Sequence, residues 1–154
     1  VMFEGEIAQL ADPETLYRRP ATRKVADFIG TMNFIPATIL SEAGDKVEVD
    51  AKGLGRVALD IAQAPAKTGE SPVVGLRPET LTLLYDDQKP LERETEGVID
   101  EVIYFGDMTY YDVYLGGTDV EVRLSMRNVP GRPVLEVGTK VRVAWSPSAL
   151  VLFR

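Results

Sequence analysis

Residues 4–36 read EGEIAQLADPETLYRRPATRKVADFIGTMNFIP, and their order decides how the chain is organised. A polar turn at Gly5 leads into a short strand, and Asp12-Pro13 then opens a helical turn. Aspartate is a good N-cap, and proline at the first helical position gives up an N–H that would have no partner there. Glu14 lies in the first turn, where the helix dipole favours an anion. Pro20 ends that turn and biases Arg19 toward extended geometry. From Ala21 onward, Val25, Phe28 and Ile29 fall at i, i+3 and i+4, which makes one apolar helical stripe. Gly30 is expected to close this helix as a C′ residue with positive φ. The stripe can pack on a β core of this chain or on a domain that precedes it, and one helix face can serve both.

Past residue 33 the apolar pattern changes from helical to alternating. Ala37–Leu40, Lys46–Ala51 and Arg56–Ile61 read as short strands, with Val57, Leu59 and Ile61 sharing a face. Residues 62–72 (AQAPAKTGESP) form a connector, and a strand is expected through Leu81, Leu83 and Tyr85. Residues 86–96 are a charged linker. Strands at 97–105 and 108–115 follow, then a Gly116-Gly117 hairpin signal. Val120, Val122, Leu124 and Met126 alternate inward against Asp119, Glu121, Arg123 and Ser125. The last strands are Lys140–Trp145 and Ala149–Phe153. Short strands with frequent turn signals predict a mainly β fold of small OB-like antiparallel barrels, preceded by a short strand and two short helices. Two subdomains are expected, at 31–88 and 94–154.

Composition narrows the chemistry. The chain of 154 residues carries a net charge of -7, against the basic footprint of a nucleic-acid binder or an electrostatic membrane anchor. No apolar run approaches the roughly 20 residues of a membrane span. Val1 and Met2 are followed closely by Glu4 and Glu6, unlike a signal peptide. Cysteine is absent, which excludes a disulfide framework. Histidine is absent too, which removes histidine-based nucleophilic catalysis, histidine-ligated zinc and histidine pH switching. A metal site would have to be built from oxygen ligands.

Three stretches invite a functional reading. Gly53-Leu54-Gly55-Arg56-Val57-Ala58 matches G-x-G-x-x-A, but a strand follows it where a dinucleotide fold needs a helix. No G-x-x-x-x-G-K-[ST] phosphate loop occurs, and Lys67-Thr68 lacks the glycines. Gly75-Leu76-Arg77-Pro78-Glu79 sets Arg77 and Glu79 on either side of a strand-breaking proline. The plainer reading is a charged pair that orders a corner; the functional one is an exposed corner at an effector or subunit interface. Asp100, Glu101, Tyr104, Asp107, Tyr110, Tyr111, Asp112 and Tyr114 form an acidic and aromatic constellation. Such a surface suits an organic cation through charge and cation–π attraction. The plainer reading is half-buried strand tyrosines with a solvated acidic rim. Asp107, Tyr110, Tyr111 and Asp112 are the candidates here, with Tyr111 on the opposite face from Tyr110 and Tyr114.

The opening segment resembles the junction in bacterial ABC importers where the ATPase domain ends and the C-terminal regulatory domain begins. The family pattern G-x-I-x-Q-x-x-x-P, L-Y-x-x-P, V-A-x-F-I-G and N is met by Gly5, Ile7, Gln9 and Pro13, by Leu16, Tyr17 and Pro20, by Val25, Ala26, Phe28, Ile29 and Gly30, and by Asn33. The GLRPE string and the closing Trp145-Ser146-Pro147 and Leu150–Phe153 segments resemble the transport-associated OB (TOBE-type) region of such ATP-binding subunits. Residues 97–115 are most similar to the polyamine branch, with iron importers the neighbouring alternative.

The resemblance implies that residues 1–30 are the end of an ATPase domain and that 31–154 are a non-catalytic regulatory region. It implies no cofactor in this chain, with ATP and Mg belonging to the parent protein. It also implies a homodimer through the regulatory region, permease subunits reached through the ATPase domain, a small-solute effector as a further partner, no nucleic acid, and a cytoplasmic place at the inner face of the membrane. Two rivals stand beside it: a stand-alone OB-like domain binding a small molecule or oxyanion, and an OB-fold for single-stranded nucleic acid.

Overall fold

A computed structural model describes the whole chain, Val1–Arg154. The chain divides into two compact units. The first comprises Val1–Ala51, Arg56–Leu76 and Ser148–Arg154, and the second Lys52–Gly55 and Arg77–Pro147. The chain thus passes between the units at 51/52, 55/56, 76/77 and 147/148, the third of these within the Gly75–Glu79 corner.

The first unit opens with β1 (Met2–Phe3) and β2 (Glu6–Ile7), an antiparallel pair closed by Glu4 and Gly5, both at positive φ. Helix α1 (Pro13–Arg18) is capped as its sequence implies: Asp12 Oδ1 accepts from the Thr15 amide at 3.0 Å and Oδ2 from its hydroxyl at 2.7 Å. Helix α2 (Arg23–Ile29) is capped by the Thr22 hydroxyl, which accepts from the Val25 amide at 3.2 Å. Its buried face is Val25 and Ala26, not the expected stripe, because Phe28 is 65% exposed. Ala26 packs with Met32, Val151 and Phe153, so α2 rests on this chain's own sheet, while Phe28 meets the Phe3 ring edge to face at 5.3 Å. Gly30 leaves the helix at φ 176°, extended backbone rather than the expected left-handed turn.

The unit's sheet has the order β12-β6-β3-β4-β5. Its strands are β3 (Asn33–Ala43), β4 (Lys46–Ala51), β5 (Gly55–Asp60), β6 (Val73–Leu76) and β12 (Val151–Phe153). β3 is longer than its alternating stretch suggests: Asn33–Pro36 pairs with β6, and Ala37–Ala43 pairs with β4. A register shift between Ile39 and Ser41 leaves Leu40 exposed. β5 stops one residue early. Ile61 starts a 3-10 turn (Ile61–Gln63) and is 43% exposed, against its expected inward place. Gln63 is buried, accepts from the Asp60 amide at 3.0 Å and donates to the Leu150 carbonyl at 2.9 Å.

The second unit holds the sheet β10-β9-β8-β11-β7. These are β7 (Thr82–Leu84), β8 (Arg93–Tyr104), β9 (Met108–Leu115), β10 (Glu121–Arg127) and β11 (Lys140–Trp145). The sheet's outer strands β10 and β7 approach each other, so the sheet curls toward a half-barrel. The expected alternation holds: Val122, Leu124, Val141, Val143 and Trp145 are all buried. The two closing strands do not pair with each other. β11 joins β8 and β7, and a 3-10 turn (Pro147–Ala149) carries the chain to β12, which joins β6. No helix is long and apolar enough to cross a membrane.

Gly97 sits in β8 between β9 and β11, where a Cβ would lie 2.5 Å from Val113 Cγ1 and 2.8 Å from the Tyr114 carbonyl oxygen. A backbone oxygen cannot rotate away. Gly97→Ala is therefore expected to lower stability by about 1–3 kcal/mol in urea denaturation, the usual range for an overpacked core site.

Candidate functional site

The Gly75–Glu79 corner ends β6 and begins a 3-10 turn (Pro78–Thr80). Pro78 supplies the fixed φ at the first position of that turn. The Thr80 hydroxyl donates to the Arg77 carbonyl at 2.6 Å and its amide to the same carbonyl at 3.0 Å. Arg77 is only 4% exposed, whereas Glu79 faces solvent. A buried guanidinium holds structure and offers no surface to an effector, so Arg77 leaves the set of interface candidates and Glu79 stays in it.

The acidic and aromatic constellation divides by strand alternation. Tyr111 is 1% exposed, and its hydroxyl accepts from the Leu135 amide at 3.1 Å, so it is a core residue and not a surface candidate. Tyr110 and Tyr114 lie on the other face; Tyr110 meets Phe105 edge to face at 5.4 Å. Asp107 is exposed in the β8–β9 turn. Asp112 is held by Arg123 on β10 in a two-pronged pair, Nε to Oδ1 at 2.8 Å and a terminal nitrogen to Oδ2 at 3.0 Å. Sequence reading placed Arg123 outward but could not give it this partner, because the β9–β10 register that sets Arg123 opposite Asp112 is a tertiary fact.

The outer face of β8, β9 and β10 therefore concentrates Glu101, Asp112 and Arg123 in one cross-strand row. Asp100, the extra residue of a β8 bulge, and Glu121, opposite Tyr114, lie beside that row. Burial first, and then the hydrogen bond and repulsion from Asp100, hold the Glu121 carboxyl above its ordinary range. Asp100 and Glu121 together push the Tyr114 phenol up. Asp112 raises Arg123 chiefly by hydrogen bonding. The carboxylates do not converge as a metal ligand set. A separate cavity of about 480 Å³, walled by Thr82, Leu84, Ala144 and residues 88–92, involves none of the sequence-derived candidates.

Residues 74–153 match the TOBE domain model. The chain belongs to the TOBE domain family. The TOBE chain is 38% identical over 147 residues to the spermidine/putrescine import ATP-binding protein PotA of Pseudomonas aeruginosa strain UCBPP-PA14, covering 94% of this chain and 40% of that protein. It is 33% identical to the PotA protein of Nitrosomonas europaea, covering 97% and 42%. The match falls on the C-terminal region of these relatives, and the chain spans about 40% of their length. Among solved structures, the cytoplasmic molybdate-binding protein ModG, determined with molybdate bound, superposes with a TM-score of 0.56 at 14% identity, over 88% of this chain and 98% of that one. At that identity the likeness concerns the fold.

Arg77→Ala is expected to lower the stability of the TOBE chain by about 1–3 kcal/mol in chemical denaturation, the cost of removing a deeply buried charged side chain, while Glu79→Ala stays within about 0.5 kcal/mol of the parent. For Glu121 the sign follows from proton binding. A carboxyl whose folded pKa lies above its unfolded value binds more protons when folded. Its contribution to stability is thus present at low pH and lost as pH rises through the folded pKa. Melting temperatures followed upward from the ordinary glutamate value of 4.5 should fall more in the parent than in Glu121→Gln, and at neutral pH the variant should be the more stable protein.

Proposed function

We propose that this chain is the regulatory region of the ATP-binding subunit of an ABC importer for spermidine and putrescine. The observation that carries the reading is the identity to PotA proteins over 94% of the chain. On this reading residues 1–30 are the end of the ATP-binding domain and 31–154 the regulatory region. Their two short helices and the small β1–β2 pair then form the seam with the preceding domain, and exposed Ile7, Leu10 and Phe28 face that domain. The region itself is non-catalytic, and ATP and Mg act in the parent's nucleotide-binding domain. Two such regions hold a pair of ATPase subunits together, and permease subunits contact the ATPase domains at the inner face of the membrane. Regulation then biases the open against the closed ATPase pair. Exposed Glu79 and Asp107 and half-buried Tyr110 remain as effector or interface candidates; Asp112 is committed to Arg123.

Disrupting the gene that encodes this chain should abolish uptake of labelled spermidine and putrescine, and unchanged uptake of both would overturn the substrate assignment. In sedimentation equilibrium the chain should be a dimer, and deletion of residues 1–30 should leave it dimeric; a monomer at high micromolar concentration would remove the scaffold role.

A further inference from the structure

The second unit holds a cavity of about 480 Å³ between the β7–β11 strand pair and the segment 88–92 that leads into β8. Hydrogen bonds fix this segment at both ends. At its start the Tyr85 amide donates to Gln88 Oε1 at 2.7 Å, and a terminal nitrogen of Arg142 donates to the Asp86 carbonyl at 2.7 Å. At its end the Ser146 hydroxyl donates to Glu92 at 2.6 Å. The cavity is therefore preformed, and its volume lies in the range of ligand pockets. Leu84, Pro90, Leu91, Ala144 and Trp145 make most of its wall apolar. Leu91 is fully exposed, so nothing of this chain covers that part of the wall.

The polar groups on the wall are mostly donors. Arg132 gives one terminal nitrogen to the Arg127 carbonyl at 2.8 Å and lies over the Tyr85 ring at 5.7 Å. No carboxylate lies within ion-pair distance of Arg132 or of Lys89. The one carboxylate of the wall, Glu92, already accepts from Ser146, and Asp86 and Asp87 stand outside the wall. The Thr82 hydroxyl and the Gln88 side-chain nitrogen have no partner within the chain. In a chain with a net charge of -7, two cations without a carboxylate on one cavity wall set the sign of what the cavity takes.

We propose that this cavity binds a small organic monocarboxylate, its carboxylate held by Lys89 and Arg132 and its hydrocarbon body laid against Leu84, Pro90, Leu91 and Trp145. Lys89 and Arg132 against Glu92 leave one net positive charge, which a monoanion balances. An ammonium ligand meets two cations there, and a neutral one leaves them unmatched. A planar carboxylate accepts two parallel N–H bonds from a guanidinium, and the lysine adds a compact charge beside them. The apolar wall favours a ligand in proportion to the hydrocarbon it buries, which a bare inorganic oxyanion lacks. The site shares no candidate residue with the importer reading and stands independently of it.

Trp145 is the chain's only tryptophan and borders the cavity, so its fluorescence reports occupancy without a label. Titrating the 154-residue chain with octanoate and with phenylbutyrate is expected to give a saturable change in emission. Neutral octanamide should bind about tenfold more weakly than octanoate, the effect of losing charge-assisted hydrogen bonds. Tighter binding of octanoate would identify a straight-chain acid as the preferred form, and tighter binding of phenylbutyrate an aryl acid. Lys89 is exposed and Arg132 half-buried, so the double variant Lys89→Gln/Arg132→Gln should keep its circular-dichroism spectrum and lose about tenfold in octanoate affinity. Leu91→Asp, a change at a fully exposed side chain, should show a comparable loss. In amide NMR spectra octanoate should shift residues 82–84, 88–92 and 144–146. No saturable change with either acid, octanamide binding as tightly as octanoate, full affinity in the double variant or in Leu91→Asp, or shifts confined to other residues would each overturn the proposal.

Discussion

The backbone of β8 is hydrogen-bonded along both edges, to β9 on one side and β11 on the other. Buried N–H and C=O groups must be paired, so this central strand dictates what its neighbours can do. Gly97 is the clearest consequence. It lies opposite both Leu115 and Val141, and the place of its missing side chain is filled by Val113. One residue beyond the β11 pairing, the Ile99 amide donates to the Thr139 carbonyl at 3.0 Å, and its carbonyl accepts from the Gly138 amide at 2.7 Å. The bulge that follows inserts Asp100 as an extra residue between Ile99 and Glu101. That irregularity is why two consecutive acidic residues are both exposed and reach the same carboxylate face.

Electrostatics on that face is a balance of like charges around one cation. Arg123 compensates Asp112 directly and feels Glu101 and Glu121 at longer range. Glu121 receives no such partner and keeps its proton to higher pH than an ordinary glutamate. In the first unit, by contrast, the cations are matched one by one: Arg23 pairs with Glu70, Arg154 pairs with Glu42, and the Lys24 ammonium lies over the Phe3 ring at 4.2 Å.

Much of the local structure was legible in the residues themselves. Asp12-Pro13 announced α1, Val122, Leu124 and Met126 announced an inward face of β10, and the strand after Gly55-Arg56 ruled out a dinucleotide loop. These readings need only neighbouring residues and a period, which is why they survive. The family resemblance, carried by motifs at fixed spacing, also held over nearly the whole chain. Other readings failed where a distant contact overrode local preference. Phe28 has helical spacing with Val25, yet it is exposed, and it is Ala26 that packs against Val151 and Phe153 of the sheet. Ile61 continues an alternating pattern, but Gln63 must turn the chain to reach the Leu150 carbonyl.

The sequence by itself determined element type, capping, the absence of histidine and cysteine chemistry, and membership of a family. Tertiary structure alone decided which strands are neighbours. β11 and β12 are adjacent in sequence but lie in different sheets, and Tyr111 and Tyr110 are adjacent yet one is core and the other surface. Arg123 acquires Asp112, and Arg23 acquires Glu70, only once register and packing are set. The reason is physical: strand pairing joins backbone groups that are remote in the chain, and a side chain's spacing fixes its face but not what stands opposite it.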